Sequence, residues 1–429
     1  MQRTSPADPS PLILPDLDVL ARETEFVIRE SSKMDASTFL QTLSGAVASG
    51  FASHNQMAIG LSRRTGRPIS SQAVHRRFSE QSTAFLTGVM HRLFGQRFSR
   101  GVSGENLGVI RRVLVEDSSI QTMPKANAGL FPANGNRHGN RHGSTAGVKI
   151  DFAYDLLAGE VVSHTLEAAT EQDKTIGREF VAAVRENDLV LRDMGYFSLA
   201  EFVEIERRAA WWLTRIPLTL GLRCDSGKTL EKLLQSHCGN IIDMPVKAGE
   251  AGKSCRLVAI RASGVVTRKR RKQRRKEAKA KGVEADAAGM IRDGWHLMLT
   301  NLPAADFAPN LLRAIYRARW GVEIQFRAWK QANNLDRALN RKSGEHHLMA
   351  IILTAMINHL VGMRMARVLS GRKAVDDLSY EKLYDALAIH HQAAKRWEDI
   401  LTFAPFMKHV ERDKRKRKSP VTARALGLG

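Results

Sequence analysis

Three acids and a few cations are the residues whose types and order could do chemistry. Asp117 follows the apolar run Val113-Leu114-Val115, and Asp193 follows Leu189-Val190-Leu191. Short β-branched and apolar runs of this kind are expected in strands buried on both faces. In open α/β sheets, sites collect beyond the carboxyl ends of such strands. Either aspartate alone reads more readily as an ordinary loop residue. The third acid belongs to a different pattern: Tyr316, Arg319, Glu323 and Lys330 are spaced by three, four and seven residues in a segment that reads as helix from near Leu311. At about 100° per residue all four share one narrow stripe, while Ile315, Val322, Phe326 and Trp329 fall on a flank that packs. An Arg319–Glu323 pair by itself stabilises a helix by only about 0.2–0.5 kcal/mol, and it leaves Tyr316 and Lys330 on the same line unexplained. Three carboxylates from separate elements form the oxygen-rich set that hard divalent cations such as Mg²⁺ prefer. Two such ions about 4 Å apart can activate a nucleophile and neutralise the leaving oxygen of a phosphodiester displacement.

An α/β layer has to position these acids. Lys149 to Leu156 alternates, with Ile150, Phe152, Tyr154 and Leu156 on one face and Lys149, Asp151 and Asp155 on the other, which predicts a strand. Val161, Val162 and His164 continue as a second strand, a helix is expected around Thr175 to Asn187, and Trp211 to Ile216 reads as a further strand. The segment from about 217 to 305 interrupts this layer. It contains the basic run Arg268 to Lys281, expected as a solvated or DNA-facing helix, and returns through the strand-like Trp295 to Thr300. After Pro303 the chain reads as helix almost to its end, with Leu348 to Met363 as a buried core helix. Ahead of the layer, Asp35 caps a helix carrying Phe39, Leu40, Leu43 and Val47. A break at Thr65-Gly66-Arg67-Pro68 precedes a second helix, capped by Ser70-Ser71, with Ala73, Val74 and Phe78 inward and Gln72, His75 and Arg76 outward. Two helices around a glycine turn suit major-groove reading, and equally suit any helical hairpin of an all-α domain.

Composition narrows the partner. The 429 residues carry 66 Lys+Arg against 44 Asp+Glu, a formal net charge of +22. Such a chain calls for a polyanion, and nucleic acid releases a condensed counterion for each phosphate that a cation neutralises. An anionic membrane surface needs an amphipathic or spanning segment, and neither is evident; Leu348 to Met363 is too short and holds Asn358 and His359. Met1 to Asp18 contains four prolines and lacks the apolar core of an export signal. Cys224, Cys238 and Cys255 form no C-x-x-C pair and are read as reduced structural thiols of a cytoplasmic protein. The doubled Asn-Arg-His-Gly at 136–143 is read as a solvated basic loop rather than a metal site, and the Lys414 to Lys418 cluster as a tail with non-specific phosphate affinity.

Taken together, these residues resemble a family. The run Tyr316, Arg319, Glu323, Lys330 is similar to the Tyr-Arg-Glu-Lys signature of the cut-and-paste bacterial insertion-sequence transposases of the DDE class, and Asp117 and Asp193, the latter followed by Gly195 and Tyr196, match that family's two aspartate motifs. Met194 departs from the basic residue that many members carry before the glycine. The resemblance implies a ribonuclease-H-like α/β core interrupted by a β-rich insertion, behind a helical DNA-binding domain. The expected division is a DNA-binding domain at 1–108, core at 109–216 and 306–370, insertion at 217–305, and a helical C-terminal region at 371–429. It further implies Asp117, Asp193 and Glu323 as catalytic ligands of two Mg²⁺ ions, with Mn²⁺ as a substitute. Tyr316, Arg319 and Lys330 are expected on DNA phosphate, and Trp295 as a stacking platform for a flipped base or, on the plainer reading, the start of a buried strand. The implied partners are terminal inverted repeats, target DNA and a second copy in a synaptic dimer, with no membrane and a nucleoid-associated location. Two rival readings remain open, a non-catalytic DNA-binding regulator and a stand-alone metal-dependent nuclease on the same core.

Overall fold

The computed structural model describes residues 16–28, 34–50, 53–94, 107–134, 145–157, 160–170, 180–224, 227–319, 335–339, 343–370 and 382. Glu323, Lys330, the Asn-Arg-His-Gly repeat and the Lys414 to Lys418 cluster lie outside the described residues. The chain opens with α1 (Leu17–Glu23), α2 (Ala36–Ala48), α3 (His54–Thr65), α4 (Ser71–His75) and α5 (Glu80–Phe94). Side-chain caps set their starts. Asp35 accepts from the Thr38 N–H at 2.7 Å, and Ser53 and Ser70 cap α3 and α4 in the same way. Gly66, at φ 66°, ends α3 in the left-handed region that a side chain would strain.

The second helix of the hairpin is shorter than its pattern predicts. Only Ser71–His75 is helical, Ala73 is exposed, and Phe78 lies past the helix end. The cause is local: the Ser79 N–H donates to Ser82 Oγ at 3.0 Å and Glu80 opens α5, so the chain turns at Arg76–Arg77. Phe78 then packs against Phe39, His54 and His347 between helices. Gln72, His75 and Arg76 are all exposed except for the half-buried flank that Phe78 and Arg77 form next to them, as expected of an outer face.

The following strands are β1 (Arg112–Met123), β2 (Ala146–Asp155), β3 (Glu160–Ala168) and β4 (Asp188–Arg192), then α6 (Leu199–Arg207), β5 (Trp211–Arg215), β6 (Leu222–Arg223), α7 (Leu230–Ser236), β7 (Ile241–Ala248) and β8 (Lys253–Arg261). Next are α8 (Gly264–Ala280), α9 (Ala287–Arg292), β9 (Trp295–Thr300), α10 (Pro309–Ala318), α11 (Leu335–Ala338) and α12 (Glu345–Ser370). Among the described residues, all nine strands join one mixed sheet in the order β3-β2-β1-β4-β5-β9-β8-β7-β6. Parallel pairing links β1, β4 and β5, and every other neighbouring pair is antiparallel. The strands of 217–305 therefore do not form a separate layer: β9 pairs with β5 and extends the sheet. Of the helix expected over 175–187, the described part holds one turn from Phe180, and Asn187 already sits at φ 63°, a conformation asparagine tolerates.

Period-two alternation sends Val113, Val115, Leu189, Leu191 and Leu213 to one face of the sheet and Leu114, Val190 and Trp212 to the other. The first face is covered by α1–α5 and α10–α12. Its centre is α12, buried almost continuously from Leu348 to Val361, with Asn358 donating to the Ser44 carbonyl at 3.1 Å. The other face packs under Phe180, Phe202 and Trp212, whose rings stack at 4.3 Å in the Phe202–Trp212 pair.

That second face also buries charge. Arg192 Nη2 lies 2.8 Å from Glu116 Oε2, both side chains fully buried, and its Nη1 contacts Glu201. Tyr196 donates to Asp151 Oδ2 at 2.5 Å beside them. Burial pushes the Glu116 carboxyl up to about 8 in spite of the Arg192 guanidinium, with Asp151 adding to the rise. Between the ordinary glutamate value near 4.3 and this one, the folded protein keeps a proton that the unfolded chain has released, so stability falls as pH rises from about 5 to about 8. Glu116→Gln should flatten that fall in urea-denaturation midpoints measured at both ends of the range; a variant with the parental pH slope would assign the proton elsewhere.

Candidate active site

β1 and β4 bring the two aspartates together by register. Their parallel ladder runs from Arg112↔Asp188 to Val115↔Leu191, and Asp117 and Asp193 each lie two residues past its last pair. Residues at matching positions of neighbouring strands point to the same face, here the face of Val115 and Leu191. One expectation needs correction. Asp117 does not end its strand: β1 continues to Met123 because β2 stays paired with it down to Met123↔Ala146 after β4 has left. Asp117 stands instead where the parallel ladder ends and the antiparallel one goes on. Asp193 leaves β4 into a single 3-10 turn at Met194–Tyr196, closed by the Tyr196 N–H on the Asp193 carbonyl at 3.1 Å.

The helix α10 closes the site from the side. Pro309 at its first turn starts it, and Leu312, Ile315 and Ala318 bury one flank in the core. The adjoining stripe carries Tyr316 and, just past the helix end, Arg319. The Tyr316 hydroxyl lies 3.1 Å from the Arg192 carbonyl and 3.5 Å from Asp193 Oδ1. Burial raises its pKa, so the phenol stays neutral and a donor. Arg319, nearly buried, places Nη1 3.9 Å from Asp117 Oδ2 and Nη2 3.8 Å from Asp193 Oδ1, with its guanidinium 5.8 Å from the Tyr316 ring centre. These are ion-pair distances, longer than a charge-assisted hydrogen bond. The structure thus gathers Asp117, Asp193, Tyr316 and Arg319 in one place, leaving Asp193 the more open of the two acids.

Two carboxylates converging on one guanidinium are an oxygen donor set that fits a hard divalent cation, since their combined charge exceeds that of the arginine. Among the described residues no group of three acids, histidines or cysteines clusters, and the third acid expected, Glu323, lies outside them. The remaining candidates are placed elsewhere. Trp295 opens β9 at 4% exposure with the Arg261 guanidinium 4.3 Å from its ring centre. Gln72, His75 and Arg76 belong to the helical face of the molecule. The reading from sequence missed the Glu116–Arg192 pair directly behind the aspartates. Its signal was present: each is a charged residue inside an apolar strand, one position before an acid of the site.

Comparison with known proteins identifies the family. Residues 109–358, more than half of the chain, match the family described as Transposase DDE domain. The chain is 24% identical over 425 residues to the transposase for insertion sequence element IS231F of Bacillus thuringiensis subsp. israelensis, covering 92% of this chain and 87% of that protein. It is also 24% identical over 416 residues to the IS231B transposase of B. thuringiensis subsp. berliner, with 90% and 86% covered, and 19% identical over 342 residues to the IS1151 transposase of Clostridium perfringens, with 73% and 70% covered. The matched span contains β1, β4 and α10, the elements that carry both aspartates, Tyr316 and Arg319, and on the strength of that match the chain belongs to the bacterial insertion-sequence transposases of the DDE class.

Proposed function

We propose that the chain binds the terminal inverted repeats of its own insertion sequence, nicks and excises it through hairpin ends, and joins it to target DNA as a synaptic dimer. The observation that carries the reading is the convergence of Asp117 and Asp193, at equal offsets on neighbouring strands, upon Tyr316 and Arg319 of one helix. Asp117, Asp193 and Glu323 would hold two Mg²⁺ ions, or Mn²⁺ in their place. Those ions supply Lewis-acid stabilisation of a phosphodiester displacement, with water or a freed 3′-hydroxyl as nucleophile. The chain's own residues do the positioning. Tyr316 steadies Asp193 by sharing its hydroxyl proton between that carboxylate and the Arg192 carbonyl. Arg319, within ion-pair distance of both aspartates, would hold a phosphate beside them, and Lys330 would add a second cation.

The acids test the chemistry. Asp117→Ala, Asp193→Ala and Glu323→Ala should each lower metal-dependent nicking by more than about a hundredfold while leaving end binding nearly intact. A variant that nicks at the parental rate excludes that residue as a ligand.

Specificity is assigned to the N-terminal helices. Arg76→Ala should weaken binding to the element's end by about 1–3 kcal/mol and leave random DNA nearly unaffected, because base contacts carry the discrimination. Deleting Lys414 to Lys418 should lower both affinities together and flatten the salt dependence by about 0.9 for each phosphate no longer neutralised. Equal losses on the two DNAs for Arg76→Ala would remove α4 as the reading element. Trp295 is the remaining assignment, and its burial under Arg261 favours the packing role over base stacking. Trp295→Ala should therefore lower the thermal midpoint and impair the first nick. A defect confined to hairpin formation, relieved by an abasic nucleotide near the end, would return Trp295 to the flipped base.

A further inference from the structure

A cavity of about 510 Å³ opens beside Asp193, walled by Met194 and Tyr316 on the catalytic side and by α8, β9 and the outer flank of α10 on the other. A second cavity of about 530 Å³ shares Arg215, Arg270 and Arg274 with it and continues along α8 past Lys269 and Gln273. The two form one groove leading away from the acids. Its lining is strongly cationic. Arg292 is paired with Glu231 at 2.6 Å and Arg274 with Asp293 at 2.9 Å. Arg215, Arg313 and Arg317 have no carboxylate partner among the described residues, and Arg313 Nε is buried without an acceptor.

The wall formed by α8 is unusual in origin. This helix has no buried residue, so apolar packing does not hold it. Arginines do so instead: Arg270 donates to the carbonyls of Asp293 and Trp295, Arg271 to that of Met290, and Arg274 to both oxygens of Asp293. Gly289 makes the last contact possible, because a Cβ there would strike the Arg274 guanidinium. Arg270 Nη2 also lies 3.1 Å from His296 Nδ1. Arginine only donates, so Nδ1 must accept and the ring proton sits on Nε2. That Nε2–H is buried and has no partner among the described residues. Burial and the facing Arg313, Arg270, Arg215 and Arg317 push the imidazole down to about 4, which keeps it a neutral donor. Three cations without a carboxylate partner, Arg215, Arg313 and Arg317, line a space much larger than one phosphate group.

We infer that this groove binds the phosphodiester backbone of the DNA strand leaving the catalytic pair, with Arg215, Arg313 and Arg317 as anion ligands. The inference rests on the transposase reading for its substrate. A polymer of phosphates suits the shape, since the groove is continuous over two cavities and starts at Asp193. The outer face of α8, with Arg268, Lys269, Lys272, Arg275, Lys276 and Lys279 along it, extends the positive surface beyond it.

Affinity of the full chain for a labelled duplex bearing the element's end, measured in EDTA over a range of KCl, tests this. Arg313→Ala/Arg317→Ala should reduce the slope of log affinity against log salt by about 0.9 per arginine and weaken binding at least about tenfold at physiological salt. Arg317→Ala alone, at an exposed position, should take one of those steps without any change in thermal midpoint. Neutral methylphosphonates at the few phosphates next to the cleaved end should cost the parent protein affinity and cost the double variant none. An unchanged salt slope, or a methylphosphonate penalty that persists in the double variant, overturns the proposal. Should the parent neither nick nor join DNA while the slope still responds, the groove stands and the transposase reading falls. Nicking and joining with an unresponsive slope would instead keep the transposase reading and remove the groove.

Discussion

The parallel pairing of β1 with β4 is the constraint on which the rest depends. It ends at Val115↔Leu191, and the two aspartates follow at equal distance on the same face. A one-residue slip would send one carboxylate to the opposite side of the sheet and dismantle the site. The residues just before the aspartates oppose such a slip. Glu116 and Arg192, buried on the other face, pair across the same two strands at 2.8 Å. A slip would take Glu116 away from the fully buried Arg192 guanidinium, and leaving a buried charge short of its partner costs about 3–5 kcal/mol. Such a pair adds little net stability over an apolar one, but it makes wrong registers expensive, and the register is what brings the two aspartates together.

Much of this was legible in the sequence. Alternation at Lys149 to Leu156 separated the two faces of β2, and the apolar triplets before Asp117 and Asp193 located β1 and β4. The helical stripe of Tyr316 and Arg319 pointed to the element that meets both acids. Three features were not legible, each for a physical reason. The true length of β1 depended on β2 continuing to pair after β4 had left, a tertiary fact that no local pattern carries. The short α4 depended on a Ser79–Ser82 exchange that starts the next helix early. The merging of the 217–305 strands into one sheet depended on β9 finding the edge of β5, a pairing between segments more than eighty residues apart, as Leu213↔Thr300 shows.

Net charge was the first guide to a nucleic-acid partner, and the structure shows why the total is a coarse one. Many arginines are occupied within the protein. Arg112 is paired with Asp188, Arg192 with Glu116 and Glu201, and Arg256 with Asp243 while also donating to the carbonyls of Leu302 and Phe307. Guanidinium suits these positions because its fixed fork satisfies several acceptors at once, which an ammonium cannot do. What acts on a polyanion is the remainder. Among the described residues, one part of that remainder lies along α8 and the outward flank of α10, near the aspartates. Charge distribution, more than charge, therefore shapes the field of the molecule: cations without a carboxylate partner line a cavity beside Met194 and Tyr316, so a polyanion is attracted toward the side of the sheet that carries the two aspartates.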